Sequence, residues 1–210
     1  MIKMFFKDSL TVDSLQALRE YIALKFPNYP AAALTYENAP VQSERTQYTR
    51  RRLNEIDIKR EKYERTKQST QIGSKLSLKL PSITEEEISL SDLKSKFIFV
   101  DIWASWCKPC RAQIPYIKEV LKKYPNDIKI YAVSIDIRHN TWRNAIEKDQ
   151  TQEFIHVIGT DQDRRNVRSV EVLGIERIPR NFLLDRNCRI IAKDLHDEQL
   201  MQTLDSLTKQ

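Results

Sequence analysis

The sequence is poor in glycine, in cysteine and in long apolar runs. Of its 210 residues, three are glycine, eight are proline and three are cysteine. So little glycine and proline excludes collagen-like and low-complexity chains, and three unevenly spaced cysteines are too few for a disulfide scaffold. No apolar run approaches the ~18 residues that a membrane-spanning helix needs. These absences leave an ordinary globular chain, long enough to bury a core without metal or disulfide support.

The chain is moderately basic, with 35 Lys and Arg against 29 Asp and Glu and a net charge of +6. Residues 44–68 concentrate this charge, since nine basic residues stand there beside five acidic ones. Such regular counter-charges favour a solvated, ion-paired helix face over a phosphate-binding stripe. We therefore expect no nucleic-acid partner.

The pattern changes near Gln71. Residues 1–70 predict a helical N-terminal extension, and residues 71–210 predict an α/β domain in which short apolar runs alternate with amphipathic helices. The predicted strands are 76–80, 87–90, 97–102, 128–135, 154–158, 181–185 and 189–192. The predicted helices are 108–123, about 140–148, 161–170 and 197–207. Because the last two strands form a hairpin, we expect a central mixed β-sheet flanked by helices.

A Trp-Cys-Lys-Pro-Cys motif at residues 106–110 follows a buried strand and opens a helix. A Cys-x-x-Cys pair serves either as a redox couple or as half of a zinc site. Zinc needs two further ligands at suitable spacing, whereas the rest of the chain offers only Cys188 and three isolated histidines. The motif therefore favours a redox pair, and we expect no metal.

The position of Cys107 predicts its chemistry. At a helix N-cap, unsatisfied N–H groups and the positive end of the helix dipole favour a thiolate, and Lys108 adds a cation. Pro109 fits the first helical turn, where its missing N–H costs nothing. Cys107 then attacks a substrate disulfide, and Cys110, one turn further and more buried, resolves the mixed disulfide. The reverse reaction donates a disulfide.

Residues 99–111 (Phe-Val-Asp-Ile-Trp-Ala-Ser-Trp-Cys-Lys-Pro-Cys-Arg) resemble the active-site strand, turn and helix of the thioredoxin superfamily. A distant segment, residues 174–179 (Gly-Ile-Glu-Arg-Ile-Pro), resembles its cis-proline loop. Residues 72–73 and 88–94 and the helix around Trp142 resemble the TlpA/ResA-like branch, especially its Bacteroidetes-type members. The similarity covers about residues 71–207. It implies a thioredoxin-like fold and protein thiol–disulfide oxidoreductase activity without an organic cofactor.

The resemblance also implies roles for individual residues. Asp101 matches a buried acid whose pKa desolvation would raise, so that it accepts the Cys110 proton. Pro179 would be cis, Ile178 would offer its backbone groups to an extended substrate, and Pro115 would kink the active-site helix. The expected catalytic residues are Cys107, Cys110 and Asp101. The expected substrate-binding residues are Trp106, Lys108, Pro109, Ile178 and Pro179.

The sequence departs from the family pattern at several positions. Gln113 stands where TlpA/ResA-like proteins often have a glutamate, and residues 131–134 lack the lysine that thioredoxins place beside the buried acid. Arg177 and Arg180 flank the proline loop. They either select acidic or phosphate-bearing partners or are simply solvated arginines on a loop. Cys188 lies in a hairpin turn where glycine would be ordinary, and we expect a bystander thiol, with a regulatory or dimer-forming site as the alternative. The three histidines are expected at the surface.

Two alternatives to the oxidoreductase remain open. One is a thiol peroxidase of the same fold, although residues 100–107 lack the Pro-x-x-x-Thr-x-x-Cys signature typical of peroxiredoxins. The other is a non-catalytic protein that binds clients through the N-terminal helices. In the main hypothesis the partners are proteins with disulfides or thiols, and the sequence does not identify the electron donor.

The compartment also has two alternatives at this stage. The first residues lack the apolar core of a signal peptide, which favours the cytoplasm if the chain is complete. TlpA/ResA-like proteins are generally exported and often membrane-tethered, which favours the cell envelope and a tether absent from this chain.

Overall fold

The computed structural model describes residues 58, 61, 64–160, 168–175 and 177–209. The chain divides into two compact units, residues 1–63 and 64–210. The predicted helices of the N-terminal extension fall almost wholly outside the described residues, as does most of the helix predicted over 161–170. Within the second unit, helical residues 64–69 lie against Gly174, where an added Cβ would come within 2.7 Å of the Thr66 hydroxyl oxygen.

In the part of the chain that the structure describes, seven strands form two sheets. The small antiparallel ribbon consists of β1 (Lys79–Pro81) and β2 (Glu87–Ser89). The central sheet contains β3 (Phe97–Trp103), β4 (Ile128–Ser134), β5 (Ile155–Ile158), β6 (Arg180–Asp185) and β7 (Ile190–Lys193). Its order is β5-β4-β3-β6-β7. Strands β3, β4 and β5 run parallel to one another, whereas β6 runs antiparallel to both of its neighbours, β3 and β7. The expected mixed sheet is therefore confirmed.

Besides helical residues 64–69, five α-helices are described in the second unit. They are α1 (Lys108–Ala112), α2 (Ile114–Lys123), α3 (His139–Asp149), α4 (Arg168–Glu171) and α5 (Gln199–Thr208). A 3-10 turn at Leu90–Asp92 follows β2. None of the helices that the structure describes combines the length and the apolar character needed to cross a lipid bilayer.

The helix predicted over residues 108–123 is divided at Gln113. Pro115 lies in the first turn of α2 and has no N–H to bond back to α1, so the expected interruption is confirmed. The start predicted for α3 was wrong, because its N-cap is Arg138 rather than Asn140 or Thr141. The Thr141 hydroxyl instead donates to the Arg138 carbonyl, 2.8 Å away, within the first turn.

Two hydrophobic clusters fill the opposite faces of the central sheet. Strand β3, buried along its whole length, contributes alternate residues to each. The cluster on the face of α2, α3 and α5 includes both cysteines of the motif, and we call this side the cysteine face. The other cluster contains the side chains of β1 and the turn after β2, and we call this side the aliphatic face.

Candidate active site

The cysteine pair lies where β3 passes into α1. Strand β3 ends at Trp103, and Cys107 is the N-cap of α1, as predicted, with extended backbone angles. Its Sγ accepts a hydrogen bond from the Cys110 N–H at 3.2 Å. Cys107 and Cys110 form a disulfide, so the structure represents the oxidised form of the pair.

Both cysteines are enclosed. Cys107 is 4% exposed and Cys110 is 2% exposed, so the expected difference in burial between them is small. The exposed surface beside them belongs to Trp106, which is 65% exposed, and to Lys108 and Pro109. These three side chains therefore form the exposed surface beside the disulfide.

Asp136 anchors the loop before the cysteines, a role that no motif in the sequence predicts. Its carboxylate accepts the Ser105 backbone N–H at 2.8 Å and the Ser105 hydroxyl at 2.6 Å. The hydroxyl of Ser134, the last residue of β4, donates to the same carboxylate at 2.8 Å. The end of β4 thereby fixes the path of the chain from β3 to α1. The Ser-x-Asp pattern at this strand end was the only available signal.

The proline loop lies at the same edge of the sheet. The Ile178–Pro179 bond is cis, as the resemblance implied. It directly precedes β6, whose first residue, Arg180, pairs with Ile102 near the end of β3. The half-buried Ile178 side chain packs against the cluster that holds both cysteines. Sheet topology thus brings two segments that are 70 residues apart to one site.

The two arginines that flank this proline have different surroundings. Arg177 is exposed. Arg180 is half-buried, with its guanidinium 3.8 Å from the Asp194 carboxylate and over the ring of Phe182. Arg180 is therefore engaged within the domain, and only Arg177 is displayed beside Pro179.

Asp101 lies in the middle of β3 and is 7% exposed. Burial raises its pKa from 3.8 to about 7, because a carboxylate is poorly solvated there. Asp101 and Cys110 both line a cavity of about 10 Å³ beneath the disulfide. The side walls of this cavity are Trp103, Ile114, Ala132, Thr151, Phe154 and His156.

Residues 71–209 match the Redoxin family. The chain belongs to that family. Thiol-disulfide oxidoreductase ResA of Bacillus cereus is 25% identical over 147 residues, covering 68% of this chain and 82% of ResA.

Solved structures from Bacteroides are also similar. The thioredoxin domain of a thiol-disulfide oxidoreductase from Bacteroides vulgatus has a TM-score of 0.60 and 28% identity over 66% of this chain and 99% of that domain. A thiol:disulfide interchange protein from Bacteroides sp. has a TM-score of 0.60 and 29% identity over 68% of this chain and 93% of its own. The Redoxin-family chain is thus a TlpA/ResA-like thiol–disulfide oxidoreductase with a thioredoxin-like fold, and its substrates are disulfide-bearing proteins.

In this Redoxin-family chain Gln113 holds two elements together. Its amide nitrogen donates to the Asp197 carboxylate at 3.0 Å, and its amide oxygen accepts the Asp197 backbone N–H at 2.6 Å. The side chain that replaces the family glutamate therefore ties the junction of α1 and α2 to the loop before α5.

The remaining cysteine and the histidines are placed differently from one another. Cys188 adopts φ +60°, which agrees with a turn position suited to glycine, and it is buried on the aliphatic face. Burial raises the pKa of its thiol. The expectation that all three histidines lie at the surface was wrong for His156, which is 5% exposed and lines the cavity beneath Cys110. Within the described residues, no group of three or more His, Cys, Asp or Glu side chains is arranged to hold a metal ion.

Proposed function

We propose that Cys107 is the attacking thiol, Cys110 the resolving thiol and Asp101 the base that accepts the Cys110 proton. The observation that carries the proposal is the position of Cys107 at the N-cap of α1, with Sγ accepting the Cys110 N–H. In the reduced pair the same N–H is available to a Cys107 thiolate. A hydrogen bond to an anion is about twice as strong as a neutral one, so this geometry favours ionisation at Cys107.

The reaction follows from these positions. The Cys107 thiolate attacks one sulfur of the substrate disulfide, and the other substrate sulfur leaves as a thiolate. Asp101 then takes the proton of the Cys110 thiol, and the Cys110 sulfur attacks Cys107 Sγ. The bond between Cys107 and the substrate breaks, and the Cys107–Cys110 disulfide forms. Two electrons thus pass from the cysteine pair to the substrate, and the reversed steps oxidise a substrate dithiol.

Asp101 is supported as the base by burial and by location. A carboxyl with a pKa of about 7 exchanges protons efficiently near neutral pH. It lines the same small cavity as Cys110. Because the base must be ionised, resolution accelerates as the pH rises through the Asp101 pKa and slows below it.

The substrate segment binds, in this proposal, across the edge formed by the cysteine loop and the proline loop. Trp106, Lys108 and Pro109 supply the exposed wall beside Cys107. The Ile178 backbone, just ahead of cis-Pro179 and β6, offers an extended edge on which a peptide strand can pair. Backbone pairing is independent of sequence, so this edge suits varied protein clients.

We also propose a helical extension over residues 1–70 joined to a thioredoxin-like domain over residues 71–210, and a place in the cell envelope. The match of the Redoxin family to residues 71–209 supports this extent of the domain. The envelope location rests on the resemblance to exported TlpA/ResA-like proteins. Attachment to the membrane belongs to the same proposal, and the electron donor is unassigned.

The test uses a disulfide-bonded peptide and three cysteine variants. Each reduced variant is mixed with the peptide. Cys110→Ser is expected to accumulate a mixed disulfide between Cys107 and the peptide, detected by mass spectrometry after acid quenching. Cys107→Ser is expected to lower peptide reduction to the rate without protein. Cys188→Ser serves as the matched control, with an unchanged rate. The assigned roles would be refuted if Cys107→Ser accumulated a mixed disulfide at Cys110 while Cys110→Ser accumulated none at Cys107.

A further inference from the structure

Strand register places Asp101, Ala132 and His156 in one row across the sheet. Asp101 of β3 pairs with Ala132 of β4, and Ala132 pairs with His156 of β5. Partners in a parallel ladder point to the same face, and neighbouring strands lie about 4.8 Å apart. Asp101 and His156 therefore face the same space from either side of a residue that has only a methyl group. That space is the cavity of about 10 Å³ beneath Cys110.

The hydrogen bonds of His156 determine its tautomer. Its Nε2 lies 2.8 Å from the Thr151 carbonyl oxygen and 3.1 Å from the Thr151 hydroxyl. Because a carbonyl can only accept, Nε2 carries the proton. Burial lowers the His156 pKa to about 4, so the ring is neutral near pH 7 and Nδ1 is a bare acceptor.

The cavity is lined by polar groups without partners. Among the described residues, buried His156 Nδ1 has no hydrogen-bond partner, and neither has the buried Trp103 Nε1. Leaving a buried donor or acceptor unsatisfied costs about 1–3 kcal/mol each. A cavity of about this volume holds one water, provided that two or more polar groups bind it. His156 Nδ1 as acceptor, Trp103 Nε1 as donor and the Asp101 carboxyl meet that requirement.

The His156 ring is held in a fixed orientation. Its centroid is 5.8 Å from that of Trp103 and 5.8 Å from that of Phe154, with which it stacks. Thr151 fixes the opposite nitrogen. The ring is therefore built to present one atom, Nδ1, at a constant position.

We propose that His156 is a positioning residue, which acts through a water in this cavity on the Asp101 carboxyl beneath Cys110. The proposal rests on the proposed role of Asp101 as the base. The water donates one hydrogen to Nδ1 and the other to the Asp101 carboxylate, and it accepts the Trp103 N–H. This orientation solvates the anionic form of Asp101, so it lowers the pKa of that carboxyl relative to a dry cavity and keeps the base usable near neutral pH.

The titratable groups that line the cavity are Asp101 from β3, His156 from β5 and Cys110 from α1. Two ion pairs join the helices packed over this face. Arg111 of α1 pairs with Asp149 of α3 at 2.5 Å, and Lys123 of α2 pairs with Asp205 of α5 at 2.6 Å.

Lys118 of α2 donates to the Asp149 backbone carbonyl. His139 of α3 lies edge-on to Trp142, and its buried Nε2 has no hydrogen-bond partner. Asn181 of β6, which pairs with Asp101 on its other side, is uncharged and bonds the Leu195 backbone. In the oxidised protein Cys110 is disulfide-bonded and does not titrate, so the pH response of the site is expected to come from Asp101 and His156.

The experiment compares two substitutions that keep opposite halves of the imidazole. His156→Gln places an amide near the Nε2 position and retains a donor to Thr151, but removes the Nδ1 acceptor. His156→Asn places an amide near the Nδ1 position and loses the Thr151 contact. The Asp101 carboxyl carbon is followed by NMR against pH in the oxidised proteins. His156→Gln is expected to raise the Asp101 pKa by about one pH unit, a tenfold change in ionisation equilibrium.

His156→Asn is expected to unfold more easily yet to restore the Asp101 titration towards that of the unsubstituted protein. His139→Gln makes the same change at a histidine that does not line the cavity and is expected to leave the titration unchanged. An Asp101 titration unaltered by His156→Gln, or equally altered by both His156 variants, would overturn the proposal. So would ¹⁵N chemical shifts that place the proton of His156 on Nδ1.

Resolution kinetics separate this proposal from the assignment of Asp101. If Asp101→Asn leaves the resolution rate and its pH midpoint unchanged, the proposed base is wrong. If Asp101→Asn slows resolution while His156→Gln moves neither the midpoint nor the NMR titration, only the role of His156 fails. Added to Asp101→Asn, His156→Gln is expected to have no further effect on resolution, since it acts through that carboxyl.

Discussion

The two faces of the central sheet are both tightly filled, yet they bury different chemistry. Strand β3 alternates between them, with Phe97, Phe99 and Trp103 on the cysteine face and Ile98, Val100 and Ile102 on the aliphatic face. The aliphatic face is mainly branched hydrocarbon, to which Tyr131 adds a hydroxyl that donates to the Ile88 carbonyl at 2.7 Å. The cysteine face buries Asp101 and His156 beside a cavity.

The difference shows where the domain carries its unfavourable groups. A buried carboxyl and buried unsatisfied nitrogens lower stability, and Asp101, Trp103 and His156 bring such groups to the cavity that Cys110 lines. The aliphatic face compensates with close-packed side chains such as Leu80, Leu90 and Ile98, all fully buried. One face therefore carries buried polar groups at the expense of stability, and the other holds the fold together. Substitutions on the two faces are expected to differ in sign.

Asp101→Asn is expected to give the largest change in the free energy of unfolding. Above neutral pH this substitution is expected to stabilise the protein. The folded state retains the Asp101 proton up to about pH 7, whereas the unfolded state loses it near pH 3.8. The folded protein therefore binds more protons in this window, and its stability falls as the pH rises from about 4 to about 7. At 1.36 kcal/mol per pH unit, this loss reaches at most about 4 kcal/mol.

The measurement is the free energy of unfolding by urea in the oxidised proteins at pH 4 and pH 8. Relative to the unsubstituted chain, Asp101→Asn should gain stability between these two pH values. Any penalty for burying the Asn amide is the same at both, so it does not enter the comparison. An identical pH dependence in both proteins would show that the Asp101 carboxyl is not the destabilising group on the cysteine face.

Ile102→Ala, at the next position along the strand, is expected to have the opposite sign. Ile102 is fully buried on the aliphatic face, and removing its branched side chain leaves a cavity in close-packed surroundings. Truncations of this kind cost about 3 kcal/mol. The same urea titration measures the effect, which should be equal at pH 4 and pH 8 because no charge is involved. A loss below about 1 kcal/mol would mean that the aliphatic face relaxes into the space.

The sequence predicted the cysteine face in part. The buried strand, the Cys107 N-cap and the cis-proline were predictable because each is a local pattern or a contiguous family motif. The burial of His156 was not, because it depends on strand register. Only the pairing of Ala132 with both Asp101 and His156 shows that a small residue leaves space between two polar ones. In sequence, His156 is one polar residue in a short apolar run.

Asp136 was missed for a similar reason. Its hydrogen bonds join the end of β4 to Ser105, 31 residues earlier in the chain, and a single acidic residue after a strand has many possible partners. The aliphatic face was more predictable, because consecutive apolar runs suffice to indicate burial. Hydrocarbon packing is not directional, whereas each buried polar group needs a specific partner. Local sequence therefore identifies the core more easily than the polar groups within it.

Tyr131→Phe is expected to have the smallest effect, and it tests whether the aliphatic face has a polar contact of its own. Tyr131 is fully buried, and its hydroxyl bonds the Ile88 carbonyl of β2. Burial also raises the pKa of this phenol, so the hydroxyl remains a donor at neutral pH. Phenylalanine keeps the ring and leaves the carbonyl without this donor, a loss of about 1 kcal/mol in the free energy of unfolding.

Tyr116→Phe, at an exposed position on α2, is the matched control and should change stability by less than about 0.5 kcal/mol. Equal stabilities for the two variants would show that the aliphatic face is held by packing alone. A loss confined to Tyr131→Phe would show that the Tyr131 hydroxyl stabilises the fold, unlike the polar atoms around Cys110.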